Sequence, residues 1–417
     1  MAQPPRIVSW NLTRRCNLAC GHCYLDAVQR KSDCADELST AEALRVVEEL
    51  GELAPGAMLV LTGGEPLLRR DLDELVQAAA ARDLMPVIGS NGMLLTAARA
   101  AALRRAGAAG VGISVDSADP AFHDTLRGLP GAWAGAVGGM RAARQAGLGV
   151  LMQTTLFAGN RNDLDAFAQL AREEGAMALN FFFLVCTGRG VTQTDLSGAD
   201  YEATLADILR LQSRHAGLMI RARCAPYARR MLGLKAGQGA GAYADWSSAC
   251  LAGRSYFRIT PEGKVTACPY IPQAAGDLRR APLRAVWDSA PDFLRLRGEM
   301  PGGKCGGCDY RVSCGGCRAR SLAMTGDLMG EDAKCAYVPA ADAVAEAPRG
   351  LAVRTIVWAP DAQALLERIP GFVRSRVRDR LEEAAVREAA PAITLEFMRA
   401  HRPQGAVFSA LRAGHDA

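Results

Sequence analysis

The sequence predicts an α/β fold followed by a cysteine-rich region, and three observations carry that prediction. Short apolar runs alternate with amphipathic stretches from Ile7 to Val185. The chain has 417 residues, 49% hydrophobic and 22% charged, which suits a globular protein of two or three domains. Its thirteen cysteines are unevenly spread: Cys16, Cys20 and Cys23 lie together, seven more fall between Cys250 and Cys335, and Cys34, Cys186 and Cys224 are scattered as incidental thiols. Residues Met1 to Arg6 lack the apolar core of a signal peptide, and no apolar run approaches the length needed to span a bilayer. The expectation is a cytoplasmic protein, where thiols stay reduced and clustered cysteines ligate metal. A net charge of +5 without a Lys/Arg block gives no sign of a nucleic-acid or membrane partner.

The strands expected in order are Ile7–Leu12, Met58–Thr62, Pro86–Ser90, Gly110–Val115, Gly149–Leu156 and Leu179–Val185. Between them lie helical patterns at Thr40–Leu53, Asp71–Arg82, Thr96–Ala106, Ala132–Gly147 and Asn162–Glu174. Ser39 or Thr40 with Glu42 marks a helix start, and Asp71 ahead of Leu72 and Leu75 marks another. Helices of this length between strands imply parallel βαβ units. In such folds catalytic groups gather where the strands end.

The first strand runs into Cys16-x3-Cys20-x2-Cys23. Three thiolates on one short loop suit three irons of a [4Fe–4S] cube and leave the fourth iron open. The alternative is zinc, with His22 completing a four-ligand set. The spacing resembles the signature of the radical S-adenosylmethionine (radical SAM) enzymes, although His22 stands where many members carry an aromatic residue and Tyr24 follows the motif. The resemblance implies that the open iron chelates S-adenosylmethionine, which is reductively cleaved to a 5′-deoxyadenosyl radical. It also implies a partial (β/α)6 TIM-like barrel.

Further elements of the resemblance follow successive strands. Thr62-Gly63-Gly64-Glu65-Pro66 follows the second strand; its glycines let backbone pass close to a ligand. In the family this element contacts the amino group of S-adenosylmethionine; the bland reading is a Gly-Gly turn. Ser90-Asn91-Gly92 matches the ribose-contacting position. Ser114 and Asp116, within Ser114-Val115-Asp116-Ser117, match positions near S-adenosylmethionine or substrate, and Arg127 stands where members often carry an arginine for its carboxylate. Asn91 and Asp116 equally suit turns.

The second half holds Cys250, then Gly263-x4-Cys268, then Cys305-x2-Cys308-x5-Cys314-x2-Cys317, and Cys335. This layout resembles the SPASM extension of radical SAM enzymes, with the last central gap one residue short. The resemblance assigns Cys305, Cys308, Cys314 and Cys335 to one auxiliary [4Fe–4S] cluster. Cys250, Cys268 and Cys317 go to another, its fourth ligand missing or supplied by Cys224 or a small molecule. A zinc ribbon is the alternative. Tyr256–Thr260 and Val265–Ala267, around the turn Pro261-Glu262-Gly263-Lys264, read as a hairpin that brings Cys250 and Cys268 together.

Two features point to a substrate. Leu184-Val185-Cys186-Thr187-Gly188-Arg189-Gly190 resembles a segment of the radical SAM enzymes of alternative haem and d-type haem synthesis, as do Cys224-Ala225-Pro226-Tyr227 and Cys268-Pro269-Tyr270. Arg189 suits a propionate carboxylate, or caps a barrel edge. After an Ala/Pro-rich linker, residues 357–402 resemble the C-terminal domain of the light-independent protochlorophyllide reductase B subunit, through Leu366-Glu367-Arg368-Ile369-Pro370-Gly371-Phe372-Val373-Arg374. Read plainly, Leu365, Ile369, Phe372, Val377 and Leu381 make a small helical module, with Arg374, Arg376 and Arg378 on a solvated face.

The expected organisation is a barrel at 1–195, a helical connection at 196–247, a cluster domain at 248–338, a linker at 339–350, a C-terminal domain at 351–402 and a tail. The expected function is radical modification of a tetrapyrrole side chain, with a flavodoxin or ferredoxin as reducing partner. The alternatives are a peptide-modifying maturase and a non-enzymatic iron–sulfur carrier or scaffold.

Overall fold

The computed structural model describes residues 2–25, 27, 36–185, 195–233, 250–340, 344–346 and most of 356–401. Cys34, Cys186 and Arg189 lie outside the described residues. The chain divides into two compact units, Met1–Pro348 and Arg349–Ala417.

The first unit is built on a ten-stranded sheet. Strands β1 (Ile7–Asn11), β2 (Met58–Thr62), β3 (Met85–Ser90), β4 (Gly110–Ser114), β5 (Gly149–Leu156) and β6 (Ala178–Phe183) lie side by side in chain order, all parallel. The connections are α1 (Thr40–Leu53), α2 (Leu72–Ala81), α3 (Ala97–Ala106), α4 (Pro120–Arg127), α5 (Ala132–Gln145) and α6 (Leu164–Glu173). Ser39 caps α1 by accepting from the Glu42 N–H while the Glu42 carboxylate accepts from Ser39, a reciprocal box of the kind the sequence suggests. Gly107 and Gly128 end α3 and α4 in the left-handed conformation, at φ of 102° and 71°.

The sheet continues past β6. After α7 (Gly198–Arg214), β7 (Met219–Arg223) pairs parallel with β6, so the stretch expected to be a helical connection contributes a seventh parallel strand. Met-Ile-Arg-Ala-Arg hides this strand from a search for apolar runs, because arginine occupies alternate positions. At the other edge, β8 (Tyr256–Ile259) pairs parallel with β1. It then forms an antiparallel hairpin with β9 (Lys264–Thr266), which pairs with β10 (Ala274–Asp277). The cysteine-rich region thus grows out of the same sheet.

The two faces of the sheet differ. On one, Val8, Trp10, Leu59, Leu61, Val111, Ile113, Val150, Met152, Leu179, Phe181 and Phe183 form the main core. Phe181 meets Phe167 of α6, and Phe183 stacks on Tyr201 of α7, so this is the helix-covered face. Alternation puts Ser9, Asn11, Val60, Thr62, Gly89, Gly112, Gln153, Thr155, Asn180, Phe182, Arg221, Arg223 and Arg258 on the other, inner face. Small and polar residues dominate there.

The second unit has its own core of Ala362, Leu366, Leu381, Ala385, Ile393 and Met398. Trp358 bridges to Ile393 and donates its indole N–H to Glu382 at 3.0 Å. Because this core is small and separate, Leu366→Ala is expected to destabilise the second unit by about 2–5 kcal/mol. Thermal unfolding with limited proteolysis checks this: the fragment beyond Pro348 becomes protease-sensitive at lower temperature while the first unit keeps its transition.

Candidate active site and metal centres

The loop carrying Cys16, Cys20 and Cys23 leaves the C-terminal end of β1 and is held from three sides. Beneath it runs Gly63-Gly64. The Gly64 N–H donates to the Thr13 carbonyl and the Glu65 N–H to the Arg15 carbonyl, each at 2.7 Å. A Cβ on Gly64 would lie 2.1 Å from the Arg15 oxygen, and one on Gly63, at φ +148°, 2.6 Å from the Thr13 oxygen. The side these glycines clear is therefore taken by the protein's own cysteine loop. From the second side, the loop docks on the end of α4: the Gly21 N–H donates to the Leu126 carbonyl at 2.9 Å and the Ala19 N–H to Arg127. On the third, Glu262 of the β8–β9 turn pairs with Arg14 at 2.6 Å, and Tyr270 meets Tyr24 edge-on.

Asp116, just past β4, is fully buried and joins these parts. One carboxylate oxygen accepts the Thr155 N–H at 2.8 Å; the other accepts from the Arg127 guanidinium and faces His22 Nε2 at 3.2 Å. Burial alone would raise this carboxyl, but Arg127 and His22 hold it below the usual carboxylate range. His123 is pushed down to about 4, by burial and then by Arg127, so its neutral ring accepts the Asp116 N–H at 3.2 Å. Arg127 also reaches the Cys20 sulfur at 3.7 Å. His22, the candidate fourth zinc ligand, thus turns its Nε2 to Asp116.

Glu65 is also buried, and its side chain ties the second loop to the third. It accepts from the Leu67 N–H, the Ser90 hydroxyl and the Asn91 N–H at 3.1, 2.9 and 2.9 Å. Asn91 bridges to Asn17 of the cysteine loop at 2.8 Å and accepts the Met93 N–H, so it is both a turn residue and a contact to that loop. Pro66 is buried at the start of a single helical turn. Ser114 ends β4, half-buried opposite Gln153.

The donors fit an iron–sulfur cube. Burial pushes the Cys16 thiol up to about 12, and Glu65, Cys20 and Cys23 push the same way. A cationic centre is what would make Cys16 a thiolate. Among the described residues, no three His, Cys, Asp or Glu side chains converge on the point a single ion would occupy. Two buried nitrogens at this mouth, His22 Nδ1 and Arg127 Nε, have no hydrogen-bond partner within the protein, as a seat for a polar ligand would leave them.

In the cysteine-rich region, Cys305, Cys308, Cys314 and Cys335 line one small cavity of about 20 Å³ with Arg230 and Lys304. The Cys305 sulfur accepts the Asp332 N–H and the Cys308 sulfur the Tyr310 N–H, both at 3.4 Å. Cys317 is not among the residues lining that cavity; it lies near Cys250.

The segment expected to carry Arg189 lies outside the described residues. Two cations that sequence reasoning missed are Arg221 and Arg223, which β7 sets on the inner face beside Asn180 and Phe182. A period-two reading of Met219–Arg223 would have found them.

Comparison with known proteins gives three family matches: the radical SAM superfamily over residues 10–172, an iron–sulfur cluster-binding SPASM domain over 250–317, and the proto-chlorophyllide reductase 57 kD subunit over 358–402. An AdoMet-dependent heme synthase of Methanosarcina barkeri is 36% identical, covering 81% of this chain and 98% of that protein. A pre-heme d1 synthase of Dinoroseobacter shibae is 31% identical over 81% of the chain and 88% of its own length. A PqqA peptide cyclase of Granulibacter bethesdensis is 29% identical over 83% and 91%. Among solved structures, Streptococcus suis SuiB bound to precursor peptide SuiA superposes with a TM-score of 0.66 at 16% identity, covering 80% of this chain and 76% of that one; this likeness is one of fold.

Two tests follow from the loop packing. Gly64→Ala pushes a methyl into the Arg15 carbonyl and is expected to lower reconstituted iron by about the four atoms of one cube; undiminished iron would show that the loop can move aside. The second test uses Glu65, whose carboxyl burial raises from an ordinary 4.5 to about 7. Between those values the folded protein holds this proton more tightly than the unfolded chain. Its contribution to stability is therefore present at the acid end and lost as pH rises through 7. Urea unfolding at several pH values should show a smaller fall across this window in Glu65→Gln than in the parent; parallel profiles would contradict the raised value.

Proposed function

Because the chain belongs to the radical SAM superfamily of enzymes, we propose that it modifies a side chain of a carboxylated tetrapyrrole, by decarboxylation, propionate removal or oxidation. The observation that carries this reading is a pairing within one chain. It is similar to a heme synthase over almost that relative's whole length, and its C-terminal stretch matches a protochlorophyllide reductase subunit.

In this reading Cys16, Cys20 and Cys23 hold the cluster and leave one iron to S-adenosylmethionine. Gly63, Gly64, Glu65, Pro66, Ser90, Asn91, Ser114, Asp116 and Arg127 form the seat of S-adenosylmethionine. When bound, the cluster and S-adenosylmethionine supply a carbon radical able to abstract hydrogen from substrate. The chain's own residues position this chemistry. Gly63 and Gly64 set the height of the cysteine loop, Glu65 aligns Ser90 and Asn91 beside it, and Asp116 fixes Arg127 and His22 against it. Cys305, Cys308, Cys314 and Cys335 hold one auxiliary cluster and Cys250, Cys268 and Cys317 a second. Electrons come from a flavodoxin or ferredoxin in the cytoplasm; among the described residues no helix is long and apolar enough to cross a membrane.

The inner face suits such a substrate. Val60 and Phe182 supply apolar surface, and Arg221 and Arg223 supply planar cations matched to carboxylates. Arg189 remains a further candidate for a propionate.

The test is absorbance titration with several carboxylated porphyrins. The full-length protein is expected to bind one at micromolar strength, about −8 kcal/mol. An arginine–carboxylate hydrogen bond contributes on the order of 1.5–3 kcal/mol. Arg223→Ala and Arg189→Ala should therefore each weaken binding roughly ten- to a hundredfold, while 5′-deoxyadenosine release with dithionite and S-adenosylmethionine persists. Deleting residues 351–417 should also weaken binding. If no porphyrin binds the full-length protein, the tetrapyrrole reading fails. Peptide modification, favoured by the likeness to the PqqA peptide cyclase, then takes its place.

A further inference from the structure

Cys224 is one residue past the end of β7, in a stretch that no iron–sulfur match covers. Its backbone is unusual: φ is +57°, and among the described residues only Asp83 is another non-glycine residue with positive φ. A side chain held in this left-handed region is kept there by its surroundings, and such positions gather at functional sites. Here the surroundings are specific. The Cys224 carbonyl accepts the Tyr201 hydroxyl at 2.6 Å, and the Arg320 guanidinium approaches it at 3.4 Å. Arg320 is buried, pairs with Asp332 at 2.9 Å and lies over the Tyr201 ring. Asp332 accepts the Cys317 N–H at 2.8 Å. One hydrogen-bonded chain therefore fixes Cys224 relative to Cys317.

The sulfurs agree with the backbone. Cys268 is within electrostatic reach of Cys224, Cys250 and Cys317; Cys224 is within reach of Cys250 and Cys317; and Cys317 is within reach of Cys250. Every pair among the four thus interacts, although no three converge on a single-ion point. Four thiols, each within reach of the other three, can supply the donor set of a cube.

We propose that Cys224 is the fourth protein ligand of the [4Fe–4S] cluster held by Cys250, Cys268 and Cys317. That cluster is then capped on all four irons, leaves no iron open to a substrate, and takes one ligand from the parallel sheet itself. Asp332 gives the arrangement a second consequence: its N–H donates to the Cys305 sulfur while its carboxylate holds Cys317 and Arg320, so one residue touches both cysteine sets. The inference rests on the second set binding iron–sulfur.

The experiment uses full-length protein with Cys16, Cys20 and Cys23 changed to Ala, so that only auxiliary iron remains. It is reconstituted anaerobically and read by iron and sulfide analysis and by electron paramagnetic resonance after reduction. Cys224→Gly is then added; glycine suits the left-handed backbone, so the change removes the thiol without straining the turn. The expected result is loss of about four irons of roughly eight, or retained iron with a changed resonance that now responds to added imidazole. Cys224→Ser, with an oxygen donor at the same place, should retain iron and shift the resonance. Unchanged iron and an unchanged, imidazole-insensitive resonance in Cys224→Gly would overturn the assignment alone. A colourless parent that binds zinc would overturn the iron–sulfur reading and the assignment with it.

Discussion

The buried carboxylate of Asp116 is the constraint on which the cysteine loop depends. It receives a backbone N–H from β5, a guanidinium from the end of α4 and an imidazole from between two of the cysteines. Taking a carboxylate out of water is unfavourable unless its partners are fixed. Removing one partner from a buried pair typically costs about 3–5 kcal/mol because a charge is left stranded. The pair therefore works less as a source of stability than as a lock. Arg127 cannot leave without stranding Asp116, and the loop docks on the carbonyls of Leu126 and Arg127. Burial, and then Arg127, keep His123 neutral, and its ring accepts the Asp116 N–H.

A second dependence runs through the sheet. β8 pairs with β1 in parallel, so the hairpin of the cysteine-rich region is fixed in register with the strand that launches the three-cysteine loop. Glu262 and Tyr270 then reach that loop directly. At the far edge, β7 delivers Cys224 and two arginines. The barrel and the cysteine-rich region consequently share a frame, and belong to the same compact unit.

Much of this was legible in the sequence, for stated reasons. The six strands and five of the helices follow from apolar periodicity, and the Ser39 box from its capping pattern, because both signals are local. α4 escaped because its buried side chains are His123 and Arg127, which break the apolar pattern. β7 escaped for a similar reason, with Arg221 and Arg223 at alternate positions. Both elements are hard to read because they carry polar groups inward. The glycine pair was legible as a close approach, but not what approaches, since the Thr13–Arg15 backbone comes near only through tertiary packing. Glu65 read as a neighbour of ligand, whereas the fold occupies its carboxylate with three donors from two loops.

The inner face of the sheet sets the terms for any substrate. A sheet built for stability alone would place apolar residues on both faces, as parallel sheets covered on both sides usually do. Here Ser9, Asn11, Asn180, Arg221 and Arg258 are buried or nearly so on one face, while the helix-covered face is apolar. Buried polar groups are unfavourable unless bonded, and here the protein bonds several of them itself: Asn11 donates to Tyr24 and Arg258 to the Pro269 carbonyl, both at 3.0 Å, and Asn180 accepts from Arg223 at 3.4 Å. A peptide recognised through its backbone favours an exposed strand edge. A rigid ring with peripheral carboxylates instead favours apolar contact and fixed guanidinium forks. Val60 and Phe182 provide the contact and β7 the forks, while the Thr62 and Gln153 side chains fill the space over Gly89 and Gly112. A substrate on this face therefore meets apolar surface and guanidinium groups side by side, whichever substrate it is.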